Sequence, residues 1–222
     1  RLSGGTSFSA YGVLNDAGTS DGSYVPPLLP GVAGPADRLV PVVLDVKGIG
    51  ASRYVTELTL ANLGAAPLAL ELVYTATAQF GGGSGTVPLT LAAGEQRVVA
   101  SAIDFLRAGG LAIPGGGANA AGSLLVKAPS GTAPGDLFAG ARTYTGSTVR
   151  EGTFGVFYPG LTLAEAANGT AWVHGLQQND AITLLGQQGR DGAAGGTPAD
   201  HQHIAIGQGV LLRPTIHSAL PR

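Results

Sequence analysis

Two histidines near the carboxyl end of the sequence have a spacing that can bind a metal ion. His201 and His203 are separated by one residue, and alternate side chains of an extended segment point to the same side. With Asp200 as a third ligand, two imidazoles placed in this way could bind zinc or copper. Two surface histidines in a glycine-rich loop are the simpler interpretation. We therefore assign no metal ligand from the sequence.

A polar segment near the amino end offers oxygen atoms at close spacing. It reads NDAGTSDGS over residues 15–23, and calcium prefers carboxylate, amide and hydroxyl oxygens. The segment lacks the regular alternate carboxylates and the final bidentate glutamate of an EF-hand loop. An Asx turn, in which an aspartate side chain bonds its own backbone, explains the same residues equally well.

The candidates for catalysis do not form a recognisable set. The segment GGTSFSA around Ser7 resembles the nucleophile segment of subtilisin-like proteases, but Tyr11 stands where that motif has proline. The pattern from Tyr11 to Leu14 indicates a strand, not a nucleophile loop. Four acidic residues of the kind used in glycoside hydrolysis are scattered along the chain, at Asp104, Asp136, Glu151 and Glu165. The sequence therefore predicts neither an enzyme nor a cofactor.

Aromatic residues suggest a second kind of ligand, a sugar ring. Trp172 is the single tryptophan, and Tyr144, Phe154 and Tyr158 precede it in the same part of the chain. Such side chains can stack on sugar rings, although a lone tryptophan on a strand usually belongs to the core. Asn168 begins the triplet Asn-Gly-Thr, which fits the acceptor pattern for N-glycosylation.

Composition excludes several partners. The chain of 222 residues has 12 basic and 14 acidic side chains and a net charge of −2, so it has no basic field for nucleic acid or an anionic membrane. No apolar run approaches the roughly 18 residues that suggest a membrane span, and we expect no membrane insertion. Cysteine is absent, which excludes disulfides and thiolate metal sites. The chain begins at Arg1 without methionine, which suggests a processed mature form or an excised fragment and favours export.

The pattern along the chain indicates an all-β fold. The 37 glycines separate short segments with alternating apolar residues, which is typical of many strands joined by tight turns. Residues 54–62 and 68–77 alternate most clearly, and we expect them to be neighbouring strands. Residues 101–107 are the one helix candidate, with Ser101 as N-cap. We predict an Ig-like or jelly-roll-type antiparallel β-sandwich with at most one short helix.

A resemblance to a known family adds to this interpretation. The segments PVVLDV (41–46), RYVTELTLAN (53–62), ARTY (141–144) and GTFGVFYPG (152–160) resemble the tandem Ig-like β-sandwich modules of large secreted bacterial proteins. Residues 7–16 and 21–23 resemble the end of a preceding module. The resemblance covers residues 1–180 and implies an extracellular or cell-surface location.

These observations divide the chain into three parts. Residues 1–37 form an amino-terminal strand and linker, residues 38–180 form the sandwich domain, and residues 181–222 form a glycine-rich tail with candidate closing strands. A terminal strand separated from its own module must pair with something. We expect Phe8, Ala10, Gly12 and Leu14 to pair with the carboxyl-terminal part of the chain or with a neighbouring copy.

The expected function follows from these features. We predict a non-enzymatic extracellular structural or adhesive protein that self-assembles into a filament or surface layer by strand-edge pairing. Its partners are then copies of itself or neighbouring β-sandwich modules. The alternative is a carbohydrate-binding module that uses Trp172 and nearby tyrosines, with a glycan as its partner.

Overall fold

The computed structural model describes residues 11–27 and 34–168, and antiparallel strands are its main elements. The strands are β1 (Gly12–Asn15), β2 (Gly22–Val25), β3 (Arg38–Lys47), β4 (Arg53–Asn62), β5 (Leu68–Ala76), β6 (Gly85–Leu91), β7 (Gln96–Val99), β8 (Ala120–Lys127), β9 (Leu137–Gly146) and β10 (Thr153–Pro159). Strands β1 and β2 form a hairpin with its own two-stranded sheet, and the other eight strands form the larger sheet. The expected all-β, sandwich-like fold is confirmed.

The eight-stranded sheet folds into two layers. One layer has the order β6-β5-β8-β3, and the other has the order β7-β4-β9-β10. The layers are joined where β3 pairs with β4 over three residues only, Asp45–Lys47 with Arg53–Val55. Side chains from both layers then meet in one apolar core, as in two sheets packed face to face.

The alternation read from the sequence sets the inner face of each strand. In β4, Thr56, Leu58 and Leu60 are fully buried, while the residues between them are partly exposed. In β5, Leu68, Leu70, Leu72 and Tyr74 face the same core. This period of two is the reason that the segments form half-buried strands.

The expected pairing of residues 54–62 with residues 68–77 is wrong. Strand β4 pairs with β3, β7 and β9, whereas β5 pairs with β6 and β8. The turn between them crosses from one layer to the other and is organised by the buried side chain of Asn62. Its amide donates to the carbonyl oxygens of Ala66 (2.8 Å) and Ala92 (2.9 Å), and its Oδ1 accepts from Gly64 N (3.0 Å). These bonds replace the hairpin that a short turn would otherwise form.

The expected helix is α1 (Ala102–Ala108). Its N-cap Ser101 accepts a hydrogen bond from Asp104 N at 3.2 Å, which satisfies one of the free N–H groups of the first turn. Ile103 and Leu106 of α1 are buried in the core. A second helix of six residues, α2 (Leu163–Asn168), follows β10 and was not expected. None of the described helices is long and apolar enough to cross a membrane.

A chain of three hydroxyl groups connects the two layers at an irregularity in β3. The β3–β8 register shifts between Val40 and Val43. On the opposite edge of β3, Leu44 N donates to Thr56 Oγ1 (3.0 Å), and the hydroxyl of Tyr158 donates to Val42 O (2.7 Å). Thr143 Oγ1 lies between them, 3.0 Å from Thr56 Oγ1 and 2.7 Å from the Tyr158 hydroxyl.

The backbone groups at its two ends fix the donor and the acceptor of each hydrogen bond in this chain of hydroxyls: Leu44 N can only donate, and Val42 O can only accept. Because Tyr158 donates to Val42 O, its oxygen accepts from Thr143, and Thr143 in turn accepts from Thr56. Each hydroxyl therefore donates once and accepts once, and the chain begins and ends on the backbone of β3. Burial raises the pKa of Tyr158 to about 12, although its hydrogen bond with Thr143 acts in the opposite direction.

Candidate functional site

The edges of the sheet are the places where an all-β protein can add a strand, because an edge strand carries unpaired N–H and C=O groups. Strand β10 is the terminal strand of its layer. The backbone groups of Thr153 and Gly155 on its outer side do not face solvent, because they bond side chains of β2 and of the turn between β1 and β2. These side-chain hydrogen bonds close the outer edge of β10 to strand addition.

Both outward groups of Thr153 are bonded by the hairpin. Thr153 N donates to Asp16 Oδ2 at 2.9 Å, and Thr153 O accepts from Thr19 Oγ1 at 2.6 Å. The Thr153 hydroxyl donates to the same Asp16 oxygen at 2.8 Å. One aspartate and one threonine thus take the place of the next strand at this residue.

The same arrangement repeats two residues further along β10. Gly155 N donates to Asp21 Oδ2 at 2.8 Å, and Gly155 O accepts from Ser23 Oγ at 3.0 Å. Ser23 lies in β2 and is almost fully buried. Because the side chains of β2 and of the preceding turn, and not their backbone, make these bonds, the hairpin ends the pairing of β10 without joining its sheet.

The turn itself is an Asx turn centred on Asp16. Its Oδ1 accepts from Gly18 N (2.9 Å) and Thr19 N (3.0 Å). The Thr19 hydroxyl lies 3.2 Å from the same oxygen, but its one proton is donated to Thr153 O. The hydrogen bond from Thr153, followed by the bond from Thr19 N, holds the pKa of Asp16 well below its usual range. Both carboxylate oxygens are therefore used by the protein, and the segment has the hydrogen bonds of an Asx turn. Among the described residues, no group of three or more acidic or histidine side chains is placed to hold a metal ion.

Arg142 of β9 connects strand β10 to the turn of the β1–β2 hairpin. Its guanidinium donates to Thr153 Oγ1 (3.0 Å) and to Asp21 Oδ2 (3.3 Å), and it lies 5.5 Å from the centre of the Tyr144 ring. The guanidinium passes over Gly155, where an added Cβ would lie 3.0 Å from Arg142 Cζ and 2.7 Å from Thr143 O. Glycine is therefore required at position 155 for the arginine to reach the aspartate.

Close backbone packing also positions the turn. A Cβ at Gly18 would lie 2.0 Å from Glu151 O, and one at Gly152 would lie 2.2 Å from Asp16 Oδ1. Gly152 also has a φ of +114°, which favours glycine. Two glycines that the sequence presents as ordinary turn residues thus allow the hairpin to approach β10.

The other outer strands of the eight-stranded sheet carry features that oppose strand addition. Strand β6 has Pro88 at its centre, which has no N–H to donate. Strand β7 carries a charged side chain, Arg97, within its four residues. The edge of β3 that faces away from β8 is bonded by the hydroxyl chain and by Leu161, whose N and O both bond Leu39.

Strand β1 differs from all of these. Among the described residues it pairs only with β2, and its four residues are all exposed. Val13 is 59% exposed, and Tyr11 and Tyr24, whose rings lie 5.7 Å apart, are 70% and 49% exposed. Neither β1 nor β2 contains a charged residue. Within the described part of the chain, the hairpin therefore closes the edge of β10 and presents an uncharged, unpaired edge at β1.

The predicted strand-pairing residues fall on both sides of the boundary of the described chain. Gly12 and Leu14 lie in β1, where they pair with Val25 and Ser23. Phe8 and Ala10 lie outside the described residues, and so does Ser7. Pairing of this segment with another chain stays a prediction.

The other predicted sites are only partly described. Asn168 is the last residue of α2, and its glycosylation stays a prediction. Trp172 and the histidines His201 and His203 lie outside the described residues. Tyr144 and Tyr158 point to opposite faces of their layer. Tyr158 lies opposite Ala141 of β9 and shares its face. Ala141 is three residues from Tyr144 on the same strand, and residues an odd number of positions apart point to opposite faces. These two tyrosines do not form one stacking platform.

Two of the four scattered carboxylates have structural partners. Asp104 pairs with Arg107 on the next turn of α1. Glu165 accepts hydrogen bonds from Thr162 N and Thr162 Oγ1, both at 2.8 Å, at the start of α2. Each therefore stabilises a helix.

Sequence reasoning missed strand β2 and the closing of β10. The signal for β2 was present, because Ser23, Tyr24 and Val25 follow the turn Asp21-Gly22 and include two good strand formers. The contacts to Thr153 and Gly155 span more than 130 positions of the sequence, and no local pattern announces them.

Comparison with known proteins adds no identity to this geometry: no family model, no curated protein and no solved structure matches the chain.

Proposed function

We propose that the chain is a non-enzymatic structural or adhesive module that associates through the open edge of β1. The observation that carries the proposal is the contrast between edges: β10 and β3 are bonded, β6 is interrupted by proline and β7 carries a charged arginine, whereas β1 is exposed and uncharged. Natural sheets that avoid association place charges, proline or coverage on such an edge. Strand β1 has none of these within the described chain.

The resemblance to Ig-like modules of secreted bacterial proteins supports the same function. Modules of this kind would act outside the cell or at its surface, with further modules or further copies as partners. The low content of charged residues, 12% of the chain, suits a protein that associates through neutral surfaces, because little charge repulsion opposes close approach. Filaments or a surface layer would result where each copy offers more than one contact.

The proposal is tested by measuring association of the full chain over a range of concentrations. Sedimentation velocity of the unmodified chain should show species larger than a monomer as concentration rises, and negative-stain microscopy should show regular particles. Val13→Lys places a charge on the open edge and should weaken association by about tenfold or more, which corresponds to about 1.4 kcal/mol.

Val98→Lys is the matched control. Val98 lies on β7 and is 55% exposed, so it accepts the same charge on a different edge and should leave association unchanged. A chain that remains monomeric at every concentration, or that loses association equally in both variants, would contradict the proposed function.

A further inference from the structure

The outward backbone groups of β1 belong to alternate residues that can be identified. Asp16 N donates to Asp21 O at 2.9 Å, so this pair is hydrogen-bonded. Bonded and non-bonded pairs alternate along an antiparallel hairpin, and Leu14 and Gly12 therefore also bond β2. The N–H and C=O groups of Tyr11, Val13 and Asn15 point away from β2.

The side chains of these same three residues share one face of the hairpin, because they alternate with Gly12 and Leu14. Leu14 is opposite Ser23 in the register, and Ser23 faces β10. Tyr11, Val13 and Tyr24 therefore lie on the face directed away from β10, which agrees with their exposure. A partner strand at this edge would extend an apolar face.

Charge narrows the choice of partner. Since β1 and β2 carry no charged side chain, an acidic or basic peptide would find no opposite charge in either strand. A neutral strand with apolar residues at alternate positions matches the edge, and β1 itself is such a strand. We propose that β1 pairs with β1 of a second copy in antiparallel orientation, around a twofold axis at Val13.

This register uses every outward group of the edge. Val13 lies opposite Val13 of the second copy, and Tyr11 lies opposite Asn15 in both directions. All three pairs are then hydrogen-bonded pairs, and each exchanges two hydrogen bonds. The twofold axis makes the contact self-complementary, as in other dimers built on one surface patch.

Electrostatics selects the antiparallel orientation. Asp16 is the first charged residue after β1. A parallel pair in register would place the two Asp16 residues side by side, where like charges are unfavourable. In the antiparallel pair they lie at opposite ends of the contact.

The inference rests on the proposed function, and its test separates the two. The chain has no cysteine, so a single introduced thiol reports one position. Under mild oxidation, full-length Val13→Cys should form a disulfide-linked dimer, because bonded antiparallel partners have Cα atoms about 5.5 Å apart, within disulfide range. Leu14→Cys is the matched control in the same strand: its two copies would be diagonal neighbours, about 7–8 Å apart, and should link at least about tenfold more slowly.

Val149→Cys, at a residue that is 84% exposed, measures the rate of random collision, and all three variants should melt like the unmodified chain. Fast linkage of Val13→Cys alone supports the twofold register. Larger species without preferential linkage at position 13 would overturn the register and leave the proposed function standing. A monomeric unmodified chain with equal, slow linkage of all variants would overturn both.

Discussion

The two layers of the sandwich and the β1–β2 hairpin are both antiparallel, yet different forces hold them. The layers enclose a core in which Leu58, Leu60 and Leu72 have at most 1% of their surface exposed. The hairpin exposes all of β1 and attaches to β10 through Asp16, Thr19, Asp21 and Ser23. Apolar burial gives the sandwich most of its stability, whereas the attachment of the hairpin depends on directional polar bonds. The hairpin should therefore detach without unfolding the sandwich.

The largest effect should come from the core. Leu60→Ala removes a fully buried side chain and should lower the free energy of unfolding by about 2–5 kcal/mol, through lost burial and the cavity left behind. Chemical denaturation measures this change. Leu14→Ala, at a residue that is 45% exposed, should cost less than about 1 kcal/mol. Similar losses in both variants would show that the hairpin and the sandwich are equally dependent on apolar burial.

Tyr158→Phe should have the next largest effect, because it removes the last donor of the hydroxyl chain and leaves Val42 O and Thr143 without that partner. An unsatisfied buried acceptor costs about 1–3 kcal/mol, to be measured by chemical denaturation. Tyr144→Phe is the control, since its hydroxyl makes a single long bond of 3.4 Å to Ala100 O. Equal stability of the two variants would contradict the role of the chain.

Tyr158 also predicts a loss of stability in alkaline solution. Burial raises its pKa from 10.0 to about 12, so the native state keeps a proton that the unfolded state loses as the pH rises above 10. Stability should then fall between pH 10 and pH 12. Thermal melting of Tyr158→Phe over this range should show a shallower fall than melting of the unmodified chain, and an identical slope would argue against it.

A smaller and local effect is expected from Gly18→Ala. The added methyl would lie 2.0 Å from Glu151 O, and overpacking of this kind typically costs about 1–3 kcal/mol. Because the substitution weakens the attachment of the hairpin to β10, hydrogen exchange at Thr153 N and Gly155 N should become faster. The free energy of global unfolding should change little. Gly82→Ala, where nothing lies within 4 Å of the added Cβ, should leave both unchanged. Faster exchange throughout the core would mean that the hairpin and sandwich unfold together.

Asp16→Asn should have the smallest effect and the clearest dependence on pH. The ionised carboxylate has a pKa below the ordinary 3.8, so it stabilises the attached hairpin above about pH 4, and this contribution is lost as the pH falls through the lowered pKa. The asparagine variant removes that dependence. After correction for intrinsic exchange, hydrogen exchange at Thr153 N of the unmodified chain should therefore become faster as the pH falls. In the variant, exchange should be faster than in the unmodified chain at neutral pH, and it should depend less on pH. The same acid response in both would exclude Asp16 as the titrating group.

The contrast between the two regions also explains what the sequence could predict. In β4 and β5 the alternation of buried and exposed residues is local, and it predicts the strands and their inner faces correctly. Ser101 predicts the start of α1 because an N-cap acts within three residues. The partners of Asp16 and Ser23 lie far along the chain, and only the folded topology brings them to β10. The turn sequence after Asn62 does not predict the crossing to the other layer, because the buried Asn62 amide directs the chain there.

The hydroxyl chain has a consequence for how the molecule carries load. Apolar contacts have no preferred direction, so they define the position of one layer along the other less sharply than hydrogen bonds do. Thr56, Thr143 and Tyr158 connect β4, β9 and β10 to two backbone groups of β3 by bonds of 3.0 Å or less, which weaken steeply with displacement. These hydrogen bonds resist sliding of one layer along the other. A force applied along β3 must break them together before the strand can move.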